Sequence, residues 1–375
     1  MKTLKVGIAG ARGLSTLMGF HAIEGVEVTA LCDLNEEFLK EQCEKLNVPN
    51  AYRVFDDMLE SDIDAVVIAT PMQCHVPQAL AALEAGKHVL SEVTAGVTMD
   101  ELWWLKEAVE KSGKTYMYAE NYAYMPFCQQ IREMRHQGLF GDVYYGECEY
   151  LHDVKDLMVY PNGKTSWRSY WQLGKRGNFY PTHSLGPMMQ WFEGERIKSV
   201  STFSAGHHIG LRQDDTTVTM CQTESGKLIK LRVDCTSPRP HNMIGYQLQG
   251  TKGCFESARD PGHGPNLVWY EGIEDNETHR TWHNLADYPQ YLPERYRIAT
   301  DEQNKAGHGG GDFFLVQDFV DAIRENKKPD IDVYQACEWT AVGLLSELSV
   351  MNNGKVIDVP DFRKAATFAD QEIKL

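Results

Sequence analysis

No Cys-x-x-Cys pair occurs in this sequence, although it contains nine cysteines. They are scattered (Cys32, Cys43, Cys74, Cys128, Cys148, Cys221, Cys235, Cys254 and Cys337) and odd in number. That pattern argues against a disulfide framework or a zinc site and fits a reducing compartment. Positive charge is in deficit: 37 Lys and Arg stand against 53 Asp and Glu, a formal net charge of -16. So acidic a surface repels phosphate backbones and anionic lipid, so neither nucleic acid nor a membrane is an expected partner. No apolar run is long enough to span a bilayer, and "MKTLKVGIAG" enters a strand without the apolar stretch of a signal peptide. The expected location is the cytoplasm. His152, His207, His208, His241, His263 and His283 show no spacing diagnostic of a metal, and no metal site is expected. Internal repeats and low-complexity segments are also lacking.

What is present suits two domains, since 375 residues with 42% hydrophobic content exceed one ordinary core. Over residues 1–122 short apolar runs alternate with helical patterns. "LKVGIAG", "VEVTALCD", "DAVVIAT", "HVL" and "TYMYAEN" read as strands, and 14–23, 36–46, 76–85 and 100–111 as helices. Alternation at this spacing predicts an α/β fold, a doubly wound parallel sheet of the Rossmann type. Asp100 is the expected N-cap of its helix and Gly113 the expected C-terminal stop. Over 123–375 the pattern changes to a helix at 127–137, several alternating strands, an "ESGK" hairpin turn and two closing helices at 313–326 and 333–351. This half reads as an α+β domain on a largely antiparallel open sheet, and such a sheet suits a homodimer or homotetramer. Residues 262–311, rich in Gly, His, Tyr and Pro, read as functional loops.

The loop after the first strand, "GIAGARGLS", carries Gly7, Gly10 and Gly13 at a spacing that departs from the standard dinucleotide fingerprint. Its context points to a dinucleotide nonetheless: a strand precedes it, a helix follows, and Asp33 ends the next strand. Gly10 and Gly13 would admit a pyrophosphate, and Asp33 would accept from ribose hydroxyls, favouring NAD over NADP. The other reading is that the glycines only make a tight turn. Further on, Glu92 ends a buried parallel strand and is followed by Val93 and Thr94, neither with a titratable head.

"VVIATPMQCHVPQALAALEAGKHVLSE" resembles the glucose–fructose oxidoreductase, inositol dehydrogenase and rhizopine-catabolism (Gfo/Idh/MocA) family. The resemblance implies NAD as cofactor, held also by Arg12, Thr70, Pro71, His75, Glu92 and Asn121. Most members carry Glu-Lys-Pro where this chain has Glu92-Val93-Thr94, and the lysine serves the reacting hydroxyl. By this resemblance Glu92 keeps its place by the nicotinamide, and another base must serve the substrate. A narrower set of blocks is similar to the NAD-dependent glycoside hydrolases typified by bacterial α-N-acetylgalactosaminidase. These are "SEVTAGVTMDELWWLKEAVEKSGKTYMYAENYAYM", "GLFGDVYYGECEYLHDV", "NFYPTHSLGPMMQWF" and "GHGGGDFFLVQDF", in that order.

That resemblance implies cleavage of a small glycoside by transient oxidation at C3, loss of the C2 proton, elimination of the C1 group, addition of water and re-reduction. Such a route needs no carboxylate pair flanking the glycosidic bond. It implies catalytic roles for His183, which matches the family motif, for Tyr124 at C2 and for Tyr180, which would bind the substrate or stabilise developing negative charge. A histidine suits such proton transfer because it titrates near neutrality. Tyr124 and Tyr180 also read as packing residues with one hydrogen bond each. Trp167, Arg168, Trp171 and His308 are candidate sugar-binding residues, with core packing the alternative for the tryptophans. Asp312 reads equally as a substrate contact or a helix cap, Lys175 and Arg176 as a solvated charge pair, and Trp103 and Trp104 as core or interface. An ordinary sugar or polyol dehydrogenase and a non-enzymatic sugar or nucleotide sensor remain the other readings.

Overall fold

The computed structural model describes residues 2–239, 242–259, 264–273 and 280–365. Two expected ordinary histidines, His241 and His263, lie outside the described residues. Contacts divide the chain into two units: 2–124 with 299–337 and 362–365, and 125–298 with 338–361. The chain thus re-enters the first unit after residue 298, where a single boundary between 122 and 123 places everything later in the second domain. The reason is packing: helix α10 (Gly311–Arg324) lies against α1 (Leu17–His21). A methyl group on Gly19 would sit 3.2 Å from the Val316 side chain.

The first unit is built on six strands: β1 (Leu4–Ala9), β2 (Val26–Cys32), β3 (Asn50–Tyr52), β4 (Ala65–Ile68), β5 (His88–Ser91) and β6 (Tyr116–Tyr118). All five pairings are parallel and the order is β3-β2-β1-β4-β5-β6, the doubly wound arrangement expected. Val6, Ile8, Val66, Val67, Ile68 and Leu90 are fully enclosed, as strands covered on both faces require. The connecting helices include α2 (Glu36–Leu46), α3 (Phe55–Leu59), α4 (His75–Glu84) and α5 (Met99–Ser112). Asp100 is not the N-cap of α5. Thr98 caps it, accepting from Glu101 N at 3.2 Å while Glu101 Oε2 accepts from Thr98 N at 3.2 Å. This reciprocal box satisfies two orphan amides and leaves Asp100 in the first turn. Gly113 closes the helix in the left-handed region, φ 63°.

His88 opens β5, and its Nδ1 accepts from Thr115 N at 3.0 Å. Burial, and then the nearby Lys114 charge, push its pKa down to about 4, against a weaker pull from Asp64. An unfolded histidine titrates near 6.5, so the unfolded chain binds the proton first as pH falls. The contribution of neutral His88 is complete above about pH 6.5 and is lost progressively down to about pH 4. Allowing for partial exposure, the loss is on the order of 2 kcal/mol. His88→Gln is expected to flatten that part of the profile of Tm against pH.

The second unit holds a nine-stranded sheet in the order β14-β13-β12-β11-β7-β10-β9-β8-β15. Its strands are β7 (Val143–Leu151), β8 (Ile197–Ser204), β9 (Thr217–Thr223), β10 (Leu228–Asp234), β11 (Asn242–Gly250), β12 (Gly253–Glu256), β13 (Leu267–Tyr270), β14 (His283–Asn284) and β15 (Ile357–Asp358). Every pairing is antiparallel except β7 with β10. The "ESGK" turn joins β9 to β10, with Thr223 N donating to Lys227 O at 2.9 Å. Helices α6 (Pro126–His136) and α7 (Thr182–Trp191) pack on each other, and α7 lies across β7 and β11. Gly146 lets α7 approach, since a methyl there would meet Met188 Sδ at 2.4 Å. Tyr145, Glu147, Glu149, Lys230 and Arg232 alternate with these inward positions and are half-exposed. The segment expected as loops carries short elements, among them β13, β14, α8 (Glu294–Arg297) and α9 (Asp301–Asn304). The long α11 (Val333–Met351) closes the chain where its pattern places it.

Candidate active site

In the first unit the crevice outside the carboxyl ends of β1 and β4, where the strand order reverses, is where ligands of such sheets bind. Gly10 stands there with φ 89°, and a Cβ on it would lie 2.4 Å from Ala69 O. Only glycine lets the first turn approach the end of β4 so closely. Gly13 fills a similar need, since a Cβ would meet Ile8 Cγ2 at 2.6 Å. Arg12 lies exposed on the turn Ala11–Thr16. Asp33 follows β2, and its Oδ1 accepts from Asn35 N at 2.8 Å.

His75 ties two neighbouring strand ends together. Its Nε2 lies 2.8 Å from Thr70 O and its Nδ1 2.7 Å from Thr94 O, with the ring 1% exposed. Burial drives its pKa down, while the backbone carbonyls of Thr94, Thr70 and Glu92 oppose that shift. The ring thereby fixes Thr70-Pro71 against Glu92-Val93-Thr94. Glu92 N donates to Ile68 O at 2.8 Å, and Val93 N donates to Glu92 Oε2 at 3.4 Å. The Val93 side chain is buried and the Val93–Thr94 peptide is cis. The buried carboxylate of Glu92 thus meets a backbone amide on its own loop, and an apolar group stands where the oxidoreductase pattern has an ammonium.

Asn121 lies on the turn Asn121–Tyr124, and its Nδ2 is 3.3 Å from His308 Nδ1. His308 Nδ1 is 2.8 Å from Asp312 Oδ1, and the His308 ring packs on Tyr122 at 5.5 Å. Asp312 therefore holds His308, and Gly310 occupies the N-cap position of α10. The Tyr122 phenol is pushed up by burial and then by the Glu120 and Asp312 carboxylates, with Arg12 opposing. Asn121 Oδ1 is buried and has no hydrogen-bond partner among the described residues. A buried amide oxygen without a donor is costly, and a ligand N–H would satisfy it. That orphan, the tight glycine turn and the carboxylate after β2 fit a nicotinamide dinucleotide. Tyr124 is fully enclosed at the end of the same turn.

The second unit gathers a different set. Tyr180 ends the loop before α7, and His183 is the second residue of that helix. Tyr180 Oη lies 3.3 Å from His183 Nε2, the rings nearly perpendicular at 81°. The Tyr150 ring on β7 lies 5.4 Å from both the Tyr180 and the His183 rings. Tyr150 Oη is 2.7 Å from His152 Nδ1. Two tyrosine–histidine pairs therefore stand side by side. Sequence reasoning missed the second, and took His152 for an ordinary histidine. The available signal was "EYLHD", in which Tyr150 and His152 are two residues apart and share one face of an extended strand.

The loop bearing Tyr180 is firmly held. The buried Asp214 carboxylate accepts from Gly177 N at 2.6 Å, from Arg176 at 3.2 Å and from Ser204. Burial by itself would raise the Asp214 pKa, but these donors outweigh it and hold the carboxyl below the usual range. Asn178 N donates to Ser346 Oγ at 2.7 Å, and Tyr246 Oη donates to His183 O. Arg176 is thus an internal anchor and no member of a solvated pair. Lys175 is 5.3 Å from the Trp171 ring centre. Trp167 and Trp171 are half-buried, and the Arg168 guanidinium lies over the Trp167 ring at 4.4 Å.

Comparison with known proteins agrees with both units. Residues 4–120 match the oxidoreductase family with an NAD-binding Rossmann fold, and residues 128–369 match the C-terminal domain of glycosyl hydrolase 109. A glycosyl hydrolase family 109 protein of Saccharopolyspora erythraea is 34% identical, over 97% of this chain and 84% of its own. An α-N-acetylgalactosaminidase of Shewanella oneidensis is 31% identical, over 98% of this chain and 86% of its own. Among solved structures, levoglucosan dehydrogenase in complex with NADH shares the fold, with a TM-score of 0.80 at 21% identity, over 96% of this chain and 99% of its own. The cofactor of this protein is NAD, and the chain belongs to glycosyl hydrolase family 109.

Proposed function

We propose that this protein cleaves small glycosides by oxidation at C3, loss of the C2 proton, elimination at C1, addition of water and re-reduction. The observation that carries the residue assignment is the Tyr180–His183 pair, with Tyr180 Oη 3.3 Å from His183 Nε2. Bound NAD+ supplies a hydride acceptor and later returns the hydride, so no NADH accumulates. Gly10, Arg12, Gly13, Asp33, Thr70, Pro71, His75, Glu92 and Asn121 would hold it. His183 takes the proton of the C3 hydroxyl, the task a lysine performs where the pattern is Glu-Lys-Pro. Tyr180 donates to the oxygen on which negative charge develops. Tyr124 is the tyrosine assigned to the C2 proton. Trp167, Trp171, Arg168 and His308 bind the sugar, the tryptophans offering faces and Arg168 and His308 hydrogen bonds.

The substrate is a small glycoside or sugar. An N-acetyl-α-galactosaminide, the type of substrate named for the Shewanella relative, belongs in the first panel with glucosides, galactosides and glucuronides. Aryl release that needs NAD+ but accumulates no NADH supports the proposal. Stoichiometric NADH from a free sugar, with every glycoside intact, would instead make the protein a sugar dehydrogenase. The half-exposed sheet face of the second unit suits packing against a second copy in a homodimer or homotetramer, which light scattering would measure. The nine free cysteines among the described residues suit a cytoplasmic location. Among the described residues no helix is long and apolar enough to cross a membrane.

A further inference from the structure

The chain is strongly acidic, yet from Leu157 to Phe192 it contains no aspartate or glutamate. That stretch holds Lys164, Arg168, Lys175 and Arg176, together with Tyr180 and His183 of the candidate site. Arg176 is committed to the buried Asp214 carboxylate. Lys175 differs from its counterparts. Of the half-buried lysines in the second unit, Lys155 meets Asp153 at 2.6 Å, Lys227 meets Asp142 at 2.9 Å and Lys230 meets Glu147. Lys175 has no carboxylate partner among the described residues. Aromatic rings hold its ammonium instead, 5.3 Å from the Trp171 ring centre and 5.7 Å from that of Phe179. Such rings attract a cation without cancelling its charge. Gly174 permits the turn that brings it there, since a Cβ would collide with Tyr170 O. Phe179 directly precedes Tyr180, and the bonds from Gly177 N to Asp214 and from Asn178 N to Ser346 fix the chain between. The free charge therefore stands on the same held loop as the Tyr180–His183 pair.

We infer that the sugar of the substrate carries an anionic group at C4 or C6, a carboxylate or a sulfate ester, and that Lys175 binds it. This inference rests on the glycosidase reading proposed above and names its class of substrate. The field of a protein with net charge -16 repels an anion, and a stretch free of carboxylates is what admits one. A half-buried ammonium has given up part of its water, and an anion from outside completes its hydrogen bonds. The proposed chemistry uses C1, C2 and C3, and an anion attached at C2 would oppose the negative charge that forms there. C4 and C6 remain. Lys175 then sets specificity and takes no part in the bond changes, so its contribution falls mainly on KM.

The test compares matched nitrophenyl glycosides of the NAD+-loaded enzyme: neutral hexosides, hexuronides, and hexoside 4- and 6-sulfates, in gluco and galacto configurations and both anomers. At least one anionic member is expected to exceed its neutral counterpart by about 10-fold or more in kcat/KM. The carboxylate and sulfate arms show which group is taken. Lys175→Met keeps the stem and removes the charge, and should lower that ratio by about 10- to 100-fold, chiefly through KM. Lys175→Arg should restore most of it. Both substrates are measured on one preparation, so incomplete folding cancels from the ratio. Neutral glycosides cleaved as well as every anionic one would overturn the inference, as would a preference that survives Lys175→Met. Failure of the glycosidase reading shows separately, as a panel in which nothing is cleaved. Titration of the NAD+-loaded protein with glucuronate, galacturonate, the 4- and 6-sulfates of glucose and galactose, and the two parent sugars then decides. Tighter binding of an anionic sugar, lost in Lys175→Met, would uphold the anion site, and equal binding would overturn it.

Discussion

Replacement of His183 by asparagine is expected to slow glycoside hydrolysis by about 10²- to 10⁴-fold, the range that one general base contributes. NAD+ affinity should stay within a few-fold of its starting value, because the proposed dinucleotide residues all lie in the other unit. The imidazole sits on the first turn of a helix buried along its whole length, and its backbone carbonyl accepts from Tyr246 Oη. Removal of its Nε2 takes away the hydrogen-bond partner of Tyr180 Oη while leaving those supports in place. The loss should fall on both kcat and kcat/KM, since the group is called on only as the C3 hydroxyl ionises. An unchanged rate, or a loss confined to KM, would remove His183 from the chemistry. The measurement is steady-state kinetics with an aryl glycoside, beside a titration of NAD+ binding.

Gly10→Ala is expected to be the most damaging single methyl group in the first unit. The residue adopts φ 89°, and the new Cβ would lie 2.4 Å from Ala69 O and 2.9 Å from Thr70 N. Both contacts are with backbone, so relief requires the turn to move away from the end of β4. The left-handed strain and the clash together should cost about 3 kcal/mol or more. NAD+ affinity should fall at the same time, because the displaced turn is part of the proposed binding crevice. Gly113→Ala is the internal comparison. It has φ 63° at the end of α5 but nothing within 4 Å of an added Cβ, so only the conformational cost of about 1 kcal/mol applies. Thermal unfolding with and without NAD+ would separate the two variants. Equal Tm losses would show that the Ala69 contact is not what demands glycine.

These two residues also mark how far the sequence could be read. Gly10 was legible because the strand–glycine–helix context and the acid after the next strand are local patterns, and the buried parallel strands read as unbroken apolar runs. For the same reason α2 and α11 begin and end where their patterns place them. The helix that carries His183 was not legible as a helix. All ten of its residues are buried, so it shows no polar stripe, and Pro187 within it argues against helix on propensity alone. His183 was found through the resemblance of its motif, and the pairing of Tyr150 with His152 was overlooked because nothing local marks it as a site.

Two other misses share one cause, which is that distant residues decide them. Arg176 reads as half of a solvated pair until Asp214, far along the chain, supplies its partner. Helix α10 reads as a closing helix of the second domain until its contact with α1 draws it into the first unit. Asp100 lost the N-cap to Thr98 because a Thr-x-x-Glu box, local but unnoticed, satisfies two amides where a lone aspartate would satisfy one.

The most direct test is proton NMR of the NAD+-loaded enzyme with a cleavable glycoside in D2O. The account predicts that the aglycone is released, that the sugar product carries deuterium at C2, and that NADH does not accumulate. Hydrolysis with the C2 proton fully retained would contradict it, because the glycosidic bond would then have broken without the elimination on which every role assigned here depends.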